Sequence, residues 1–369
     1  MVGGGIVGLS TAVHLLEAGV DVTVLEGVGI AAGASGVQPG GVRQQWGTRA
    51  NCLMARESFV FYSDFPDRYK TRAQAHLDRC GYVFVASEPA SLRQLEANIV
   101  VQHDAGIDSE LLTADEAAAL VPSLNPERML GAAYYSEDGY FDRPQAVVEA
   151  FAELVPRLGG RIEIVGVSRL DRDGAGWRLS LDNGNSLSAD AVVVAGGHAS
   201  VGLLAPLGHR LPITKEPRYL FYSEHISERL LEPLVIAVDL GLAAKHLADG
   251  RVLASDLHAS GPLEANQSTW RRRIRTVVTE LLPILEYVPL PIVVKGDYDM
   301  TPDGQPIVDL LEDGLWVAAG FSGHGFMVAP AVGRMLAAAL HGSETPEWAQ
   351  AVRAGRFSGA ITNAEAQVI

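Results

Sequence analysis

The sequence is poor in cysteine, in long apolar runs and in positive charge. Cys52 and Cys80 are its only cysteines, without a CxxC motif or a paired framework, so a disulfide scaffold and a cysteine-rich zinc site are excluded and no metal site is predicted. No stretch approaches the roughly 18 apolar residues of a membrane span. The formal net charge of −15 argues against a nucleic-acid partner, because phosphate binding requires a basic surface.

The remaining composition is typical of a soluble globular protein. Hydrophobic residues make up 48% and charged residues 20% of the 369 residues, which suffices for one large core or for two domains. The N-terminus lacks the charged segment and apolar run of a signal peptide, and few cysteines suit a reducing compartment, so we predict a cytoplasmic protein. The arginine cluster within 271–275 lies on a helix predicted over 269–282, where we expect a solvated face.

The chain begins with a glycine-rich motif. Gly3, Gly5 and Gly8 have the spacing G-x-G-x-x-G. The first glycine allows a tight turn, the second lets the backbone approach a pyrophosphate, and the third lets a helix pack closely on a sheet. A helix predicted over 9–18 would direct its N-terminal amides at the phosphates. The alternative is a glycine-rich turn of an α/β protein that binds no ligand.

Glu26 follows this motif at the position of a ribose-binding carboxylate. It stands at the end of a strand predicted over 20–25, where its oxygens can accept hydrogen bonds from ribose hydroxyls. Only Met1 and Val2 precede Gly3, although the motif normally follows a buried strand of about five residues. We therefore expect the native protein to start upstream of Met1, which its intact mass would test.

The predicted elements alternate between βαβ units and antiparallel strands. Thr113 and Glu116 have the spacing of a helix capping box. Residues 190–197 form an apolar run that ends in glycines, which is typical of a buried parallel strand. We therefore expect a discontinuous dinucleotide-binding domain (1–78, 140–211 and 296–369) with a second domain inserted into it (79–139 and 212–295).

A second strand–turn–helix unit closes the chain. A buried strand is predicted over 315–320, followed by the turn Phe321-Ser322-Gly323-His324-Gly325-Phe326-Met327 and a helix that runs to Leu340. Pro330 is expected in the first turn of this helix, where a missing N–H is harmless. The unit directs free amides and the positive end of a helix at one place, which stabilises negative charge there.

Six segments, in order along nearly the whole chain, resemble the FAD oxidoreductases of the D-amino-acid-oxidase type. They are most similar to the branch that contains the β-subunits of sarcosine oxidase and of dye-linked L-proline dehydrogenase. The closing turn is the most discriminating of the six. The segments are 3–8, 33–36, 41–47, 191–197, 300–304 and 321–326.

This resemblance implies a fold of the α/β class (α+β overall). A discontinuous Rossmann-type FAD-binding domain would carry an inserted substrate domain built on a mixed, mostly antiparallel sheet. It also implies oxidation of the C–N bond of an amino acid, commonly a secondary one such as sarcosine or proline, by hydride transfer to flavin N5 to give an imine. A small amino acid would be the substrate, and a partner subunit or an electron carrier would be a possible acceptor.

The resemblance also assigns cofactor contacts by motif position. Gly3, Gly5, Gly8 and Glu26 would hold the ADP part of FAD. The remaining contacts divide into three groups: Ala34 and Ser35 at the pyrophosphate, Val167 near the adenine, and Gly197, Gly320, Ser322, Gly323, His324, Gly325, Phe326 and Met327 around the isoalloxazine.

Two residues are candidates for a catalytic role. Arg43 aligns with the arginine that pairs the substrate carboxylate in sarcosine oxidases, and its planar fork suits a carboxylate. A surface or interdomain salt-bridge arginine is the alternative. His324 would modulate amine protonation or the electrostatics of the flavin, and the alternative is a structural histidine that hydrogen-bonds the loop. Tyr298 is a weaker candidate for the pocket wall, because an ordinary core tyrosine is expected there.

The sequence departs from the monomeric sarcosine oxidases at three positions. Those enzymes have a second carboxylate anchor, a lysine, where this chain has Met327, and they tether the flavin through a cysteine that aligns with Gly296. We therefore expect non-covalent FAD. Their lysine linked to oxygen activation aligns near 252–254, and Lys245 and Lys295 are out of register with it. Oxygen is accordingly expected to be a poor acceptor, which favours a dehydrogenase.

Other functions stay open at this stage. An NAD-dependent dehydrogenase would share the opening motif but would have no use for the closing turn. A non-catalytic flavoprotein subunit is compatible with Met327 and with the altered anchors. A D-amino-acid or glycine oxidase activity, with a primary amine as substrate, is also compatible with the resemblance.

Overall fold

The structure, a computed structural model, describes residues 1–359, 364–365 and 367–368. Its helices are α1 Ile6–Glu17, α2 Ala34–Val37, α3 Arg49–Tyr69, α4 Pro89–Asp104, α5 Ala114–Leu120, α6 Pro144–Arg157, α7 Ala199–Leu204, α8 Leu263–Leu281 and α9 Gly325–Leu340. Its strands are β1 Thr23–Glu26, β2 Gly41–Val42, β3 Leu77–Asp78, β4 Tyr82–Ala86, β5 Glu110–Thr113, β6 Gly131–Tyr135, β7 Gly139–Phe141, β8 Arg161–Ile164, β9 Val167–Asp173, β10 Gly176–Leu181, β11 Ser186–Ala189, β12 Val192–Val194, β13 Thr214–His225, β14 Leu234–Ala237, β15 Leu242–His246, β16 Arg251–Asp256, β17 Ile292–Met300, β18 Ile307–Glu312 and β19 Leu315–Ala319.

A mostly parallel sheet joins the two ends of the chain. β8 pairs with β1 and β12 pairs with β19, both in parallel, while β18 adds an antiparallel edge to β19. Val2 bridges the two halves, because it pairs in parallel with both Leu25 and Val194. Met1 and Val2 thus occupy the central position of this sheet, between β1 and β12. Helices α1, α6 and α9 contribute apolar side chains to the core beside it.

A second, larger sheet has the strand order β17-β13-β16-β15-β14-β4-β6-β5. Only the pair of β14 and β4 is parallel, so the expectation of a mixed, mostly antiparallel sheet is confirmed. Helix α8 packs on one face of the sheet, and its arginines at 272, 273 and 275 are exposed, as expected for a solvated helix face. β17 crosses the expected domain boundary at 295–296, and the division into two domains stays a prediction.

Pro330 interrupts α9 in a different place from the one expected. The helix begins at Gly325, so Pro330 lies in its second turn and not in its first, where it lacks the N–H that would bond the Phe326 carbonyl. Two side chains of α3 compensate. Tyr62 Oη donates to the Phe326 carbonyl at 2.6 Å, and the Ala331 amide donates to Ser58 Oγ at 3.1 Å. The prediction of a first-turn proline was therefore wrong. Side chains of α3 satisfy the backbone groups that lack their helical partners around Pro330.

Tyr62→Phe is expected to lower the free energy of unfolding by about 1–2 kcal/mol, because it leaves the buried Phe326 carbonyl without a donor. Urea unfolding of the FAD-loaded protein measures the change. Tyr287→Phe is the control, since Tyr287 is 86% exposed and its replacement should change stability by less than about 0.5 kcal/mol. Equal stability of the two variants would contradict the proposed role of the Tyr62 hydroxyl.

Candidate active site

The opening glycines place two backbone segments in direct contact. Gly3 has φ +110°, and a Cβ atom there would lie 2.4 Å from the Ala195 carbonyl oxygen. A Cβ atom on Gly8 would lie 2.1 Å from the Gly3 carbonyl oxygen. Since backbone cannot rotate out of the way as a flexible side chain can, neither position accepts a larger residue. The start of α1 is therefore held against the edge of the parallel sheet.

The N-terminus of α1 faces the short helix α2. A Cβ atom on Gly5 would lie 3.1 Å from Ser35 Oγ, and this oxygen accepts the Ile6 amide at 3.0 Å. Ala34 precedes Ser35 at the start of α2. The next two amides of α1 have no acceptor within the helix. Free N–H groups beside a glycine are what a pyrophosphate requires, so this cradle fits the phosphates of a dinucleotide.

Glu26 is oriented by three backbone amides. Its Oε2 accepts the Gly4 amide at 2.7 Å, and its Oε1 accepts the amides of Val28 at 2.9 Å and Gly29 at 3.3 Å. The side chain is half-buried at the end of β1. A carboxylate has about four acceptor positions, so one remains for a ribose hydroxyl.

Two further predicted cofactor contacts follow the strands β8 and β12. Val167 begins β9 directly after Gly166, whose Cα would lie 3.3 Å from a Cβ atom on Gly27, the residue after Glu26. Gly197 follows β12 with φ +57°, and a Cβ atom there would lie 2.8 Å from Asp299 Oδ2. The first position thus adjoins the predicted ribose site, and the second adjoins β17.

The closing turn is pinned to β17. Gly320, Ser322 and Gly323 have φ values of +69°, +48° and +86°. A serine at positive φ is uncommon, and here its amide donates to the Asp299 carbonyl at 2.9 Å. A Cβ atom on Gly323 would lie 2.3 Å from the ring of Tyr298. Tyr298, a half-buried residue of β17, therefore lies against the turn.

Helix α9 begins at this turn with Gly325, Phe326 and Met327. Their amides have no acceptor within the helix. The Phe326 side chain points away into the core, where its ring lies 5.7 Å from that of Tyr62, so only its backbone belongs to the site. Met327 Cε would lie 3.4 Å from a Cβ atom on Gly41, which brings the segment 41–47 beside the helix start.

His324 is buried directly before the start of α9. Only 3% of its surface is exposed, and neither Nδ1 nor Nε2 has a partner in the described part of the chain. The alternative of a histidine that hydrogen-bonds the loop is thus not what the structure contains. Burial, with the nearby charge of Arg43, holds the pKa of His324 well below its usual value, so the ring is neutral. A bound ligand can satisfy the buried N–H that the described residues leave unpaired.

Arg43 is fully buried and lies on the indole of Trp46, with Cζ 3.5 Å from the ring centroid. The Trp46 ring in turn packs edge-on against the His324 ring, with the two ring centroids 4.1 Å apart. Nη1 of Arg43 donates to the Gln45 carbonyl at 2.6 Å, and Nη2 donates to the Gln367 carbonyl. Burial lowers the pKa of Arg43 to about 10, which still leaves it charged at neutral pH. Its partners are carbonyls, so it is not a salt-bridge arginine at the surface.

A C-terminal segment, residues 364–365 and 367–368, reaches the site in a way that the sequence did not predict. Glu365 accepts the amides of Gly47 at 2.9 Å and Thr48 at 3.1 Å, and Nδ2 of Asn51 at 2.9 Å. These donors surround the N-terminus of α3, where negative charge is favourable. The anchored segment brings Gln367 onto Arg43. A fork pairing between Arg43 and a substrate carboxylate therefore requires the Gln367 carbonyl to move.

Lys245 lies closer to the predicted oxygen-activating position than the sequence indicated. It is out of register with 252–254 along the chain, but it is the cross-strand partner of Leu253 in the pair of β15 and β16. Its Nζ donates to the Pro39 carbonyl at 2.8 Å and lies 3.8 Å from the ring centroid of Tyr140. Burial lowers the pKa of Lys245 to about 7. Lys295, in contrast, is exposed on β17.

The pKa of Lys245 predicts a pH dependence of stability. It is about 10.4 in an unfolded chain and about 7 in the native protein, so between these values the unfolded chain binds more protons and the free energy of unfolding rises with pH. Lys245→Met removes this term. From about pH 7 to about pH 10, the wild type should gain several kcal/mol relative to the variant, since one pKa unit corresponds to about 1.4 kcal/mol. Parallel curves of urea-unfolding stability against pH would contradict this.

Comparison with known proteins identifies relatives along the whole chain. The family described as FAD dependent oxidoreductase (DAO) matches residues 1–339. The 4-methylaminobutanoate oxidase (formaldehyde-forming) of Paenarthrobacter nicotinovorans is 29% identical over 389 residues, which cover 98% of this chain and 46% of that enzyme. Human peroxisomal sarcosine oxidase is 25% identical over 373 residues, which cover 91% of this chain and 90% of the enzyme. This chain thus spans about half the length of the first relative.

A solved structure has the same fold. The L-proline dehydrogenase from P. horikoshii superposes with a TM-score of 0.87 at 25% identity, over 97% of this chain and 96% of that one. In the described ranges, no helix has the length and apolarity needed to cross a bilayer. The predicted resemblance and the predicted fold class are confirmed. The prediction of an FAD-dependent oxidoreductase is confirmed as well. The match covers far more than half of the sequence, so the chain belongs to the FAD dependent oxidoreductase (DAO) family.

Proposed function

We propose that this protein oxidises the C–N bond of an amino acid, with secondary amines such as sarcosine or proline as the substrate class. One observation carries the proposal. The neutral His324, whose ring nitrogens have no hydrogen-bond partner among the described residues, and the charged Arg43 both contact the indole of Trp46. An amino acid offers an amine to the first group and a carboxylate to the second. The relatives named for N-methylamino acids and for proline support the same class.

The residues in place fit FAD. Gly3, Gly5, Gly8, Glu26 and Ser35 would hold its adenosine diphosphate part, and the turn 320–327 would hold its flavin end. In that turn the buried nitrogens of His324 have no partner in the described part of the chain. When bound, FAD supplies the electron acceptor that takes a hydride from the carbon next to the substrate nitrogen, leaving an imine that water hydrolyses. Gly296 has no side chain for a tether, so we predict non-covalent binding.

Arg43 would position the substrate through its carboxylate. It keeps its charge at neutral pH in a buried site, where the attraction of a carboxylate is much stronger than in water. Its Nε has no partner in the described part of the chain and can donate to one carboxylate oxygen. The second oxygen would replace the Gln367 carbonyl at Nη2. The charge and the fork together would fix the reacting carbon in place.

The surroundings of His324 would keep the substrate nitrogen in its neutral form. Burial holds the pKa of His324 well below its usual value, so the ring stays neutral and places no charge beside the substrate. The same burial and the neighbouring charge of Arg43 disfavour a substrate ammonium in this space. They therefore favour the neutral amine, whose lone pair assists the loss of hydride from the adjacent carbon.

A second candidate function is that of a non-catalytic flavoprotein subunit. The contact of Gln367 with Arg43 favours it, because the proposed carboxylate anchor is engaged by the chain itself. Turnover with an artificial electron acceptor distinguishes the two. The FAD-loaded protein is expected to convert sarcosine to glycine and formaldehyde, or proline to its cyclic imine. Turnover of only primary amino acids would indicate a glycine-oxidase-type or D-amino-acid-oxidase-type activity, and no turnover of any amine would favour the second candidate.

A further inference from the structure

The amide of Gln45 is held in a single orientation. Its Nε2 donates to Asp138 Oδ2 at 2.9 Å and to the Tyr82 carbonyl at 3.1 Å, which uses both of its hydrogens. Rotating the amide by half a turn would place its oxygen against the Tyr82 carbonyl, which has no hydrogen to donate, so the orientation is fixed. The side chain is fully buried, and its Oε1 has no partner among the residues that the structure describes. A hydrogen-bond acceptor is thus fixed in the interior, and no described residue donates to it.

Asp138 maintains this orientation. Its carboxylate is fully buried and accepts the Gln44 amide at 2.6 Å as well as the Gln45 side chain. Burial raises the pKa of Asp138 to about 7, and these hydrogen bonds together with the charge of Arg43 oppose the rise. Asp138 bonds two successive residues of the segment 41–47. It therefore acts on the site through Gln45, as a positioning residue.

Gln45 belongs to the same segment as the two candidate catalytic groups. Its backbone carbonyl accepts a hydrogen bond from Nη1 of Arg43 at 2.6 Å. The next residue, Trp46, packs against the His324 ring. Nε of Arg43 and both ring nitrogens of His324 are also buried and unpartnered within the described ranges. The unpartnered groups thus include donors and acceptors. An amino acid offers the complement, with acceptors on its carboxylate and an N–H on its nitrogen.

We propose that Gln45 Oε1 accepts the N–H of the substrate nitrogen, so that the site selects primary and secondary amines over tertiary ones. This inference rests on the proposed function and refines its substrate class. A neutral tertiary amine has no N–H, so it would leave Oε1 buried and unpaired. Sites built to bond a polar hydrogen discriminate strongly against analogues that lack it.

Binding of two ligands of the same shape tests this inference without turnover. Pyrrole-2-carboxylate carries an N–H where furan-2-carboxylate carries an oxygen, and a shift of the flavin spectrum of the FAD-loaded protein reports their binding. The wild type is expected to bind the pyrrole at least about tenfold more tightly. Gln45→Met should bring the two affinities within about twofold of each other. Asp138→Asn, which keeps the shape of Asp138 but disturbs the amide orientation, should lower the preference as well.

Gln102→Met is the matched control. Gln102 is also a buried glutamine, and its Nε2 donates to the Trp46 carbonyl at 3.1 Å. Its replacement should lower stability but keep the preference for the pyrrole. If Gln45→Met does not fold, the binding preference of the wild type and of Asp138→Asn for the pyrrole over the furan still tests the inference. No preference in the wild type, an unchanged preference in a folded Gln45→Met or Asp138→Asn variant, or no binding of either ligand would overturn the inference.

Kinetics separate the inference from the proposed function. With sarcosine and N,N-dimethylglycine as the pair, Gln45→Met should lower kcat/KM for the secondary amine at least about tenfold more than kcat/KM for the tertiary amine. A preserved binding preference without turnover of any amine would remove the proposed function but keep the role of Gln45. Turnover with an unchanged substrate preference in the variant would remove the role of Gln45 alone.

Discussion

Gly8→Ala is expected to give a protein that no longer retains FAD. The added Cβ atom would lie 2.1 Å from the Gly3 carbonyl oxygen, so α1 must move away from the parallel sheet. That movement displaces the first-turn amides of α1 and the contact between the Ile6 amide and Ser35 Oγ, which form the proposed pyrophosphate cradle. An overlap of two backbone segments costs several kcal/mol, because neither can rotate away. Flavin absorbance per protein after gel filtration measures the retention.

Gly202→Ala is the control for this substitution. Gly202 lies within α7, where an added Cβ atom meets nothing within 4 Å. Alanine there should leave the flavin content unchanged and raise stability by about 0.5–1 kcal/mol, as expected for glycine replaced within a helix. Full flavin retention by Gly8→Ala would contradict the assignment of the opening motif to the cofactor.

Arg43→Met is expected to lower kcat/KM for an amino-acid substrate by about 2 kcal/mol or more, roughly 30-fold, mainly through KM. The variant removes the buried charge that we assign to the carboxylate, while methionine retains much of the apolar contact with Trp46. The matched substrate is the corresponding amine without a carboxylate. Proline and pyrrolidine form such a pair, and only the rate with proline should fall.

The control for losing an arginine that donates to a backbone carbonyl is Arg56→Met. Arg56 is exposed, and its Nη1 donates to the Ala105 carbonyl at 3.3 Å. Its replacement should leave the ratio of the rates with proline and pyrrolidine unchanged. An equal loss with both substrates in Arg43→Met would instead mean that Arg43 supports the site only through its bonds to Gln45 and Gln367.

The features that the sequence predicted well depend on local chemistry. The capping box of α5 is present, with the Glu116 amide on Thr113 Oγ1 at 3.3 Å and the Thr113 amide on the Glu116 carboxylate at 2.8 Å. Strand β19, the turn and helix α9 follow one another as the closing motif predicted. In each case the residue types over a few positions determine the backbone. The positive φ at Gly3 and Gly323 is an example, because glycine adopts it without strain.

The features that the sequence could not predict join residues far apart in the chain. Gln367 lies on Arg43, and Lys245 lies opposite Leu253, because tertiary packing and strand register place them there. Neither arrangement has a signal in local spacing. The position of Pro330 depends in the same way on Tyr62, a residue of another helix that satisfies the carbonyl left free by the proline. The neutral state of His324 follows from its burial, which only the fold determines.

The most direct test of an amino-acid-oxidising flavoenzyme is to add sarcosine and L-proline, separately and without oxygen, to the FAD-loaded protein while recording its visible spectrum. We expect one of them to bleach the flavin band within seconds to minutes, and the colour to return slowly when air is admitted if oxygen is a poor acceptor. A flavin that a chemical reductant bleaches, but that no secondary or primary amino acid bleaches, would contradict the proposed function.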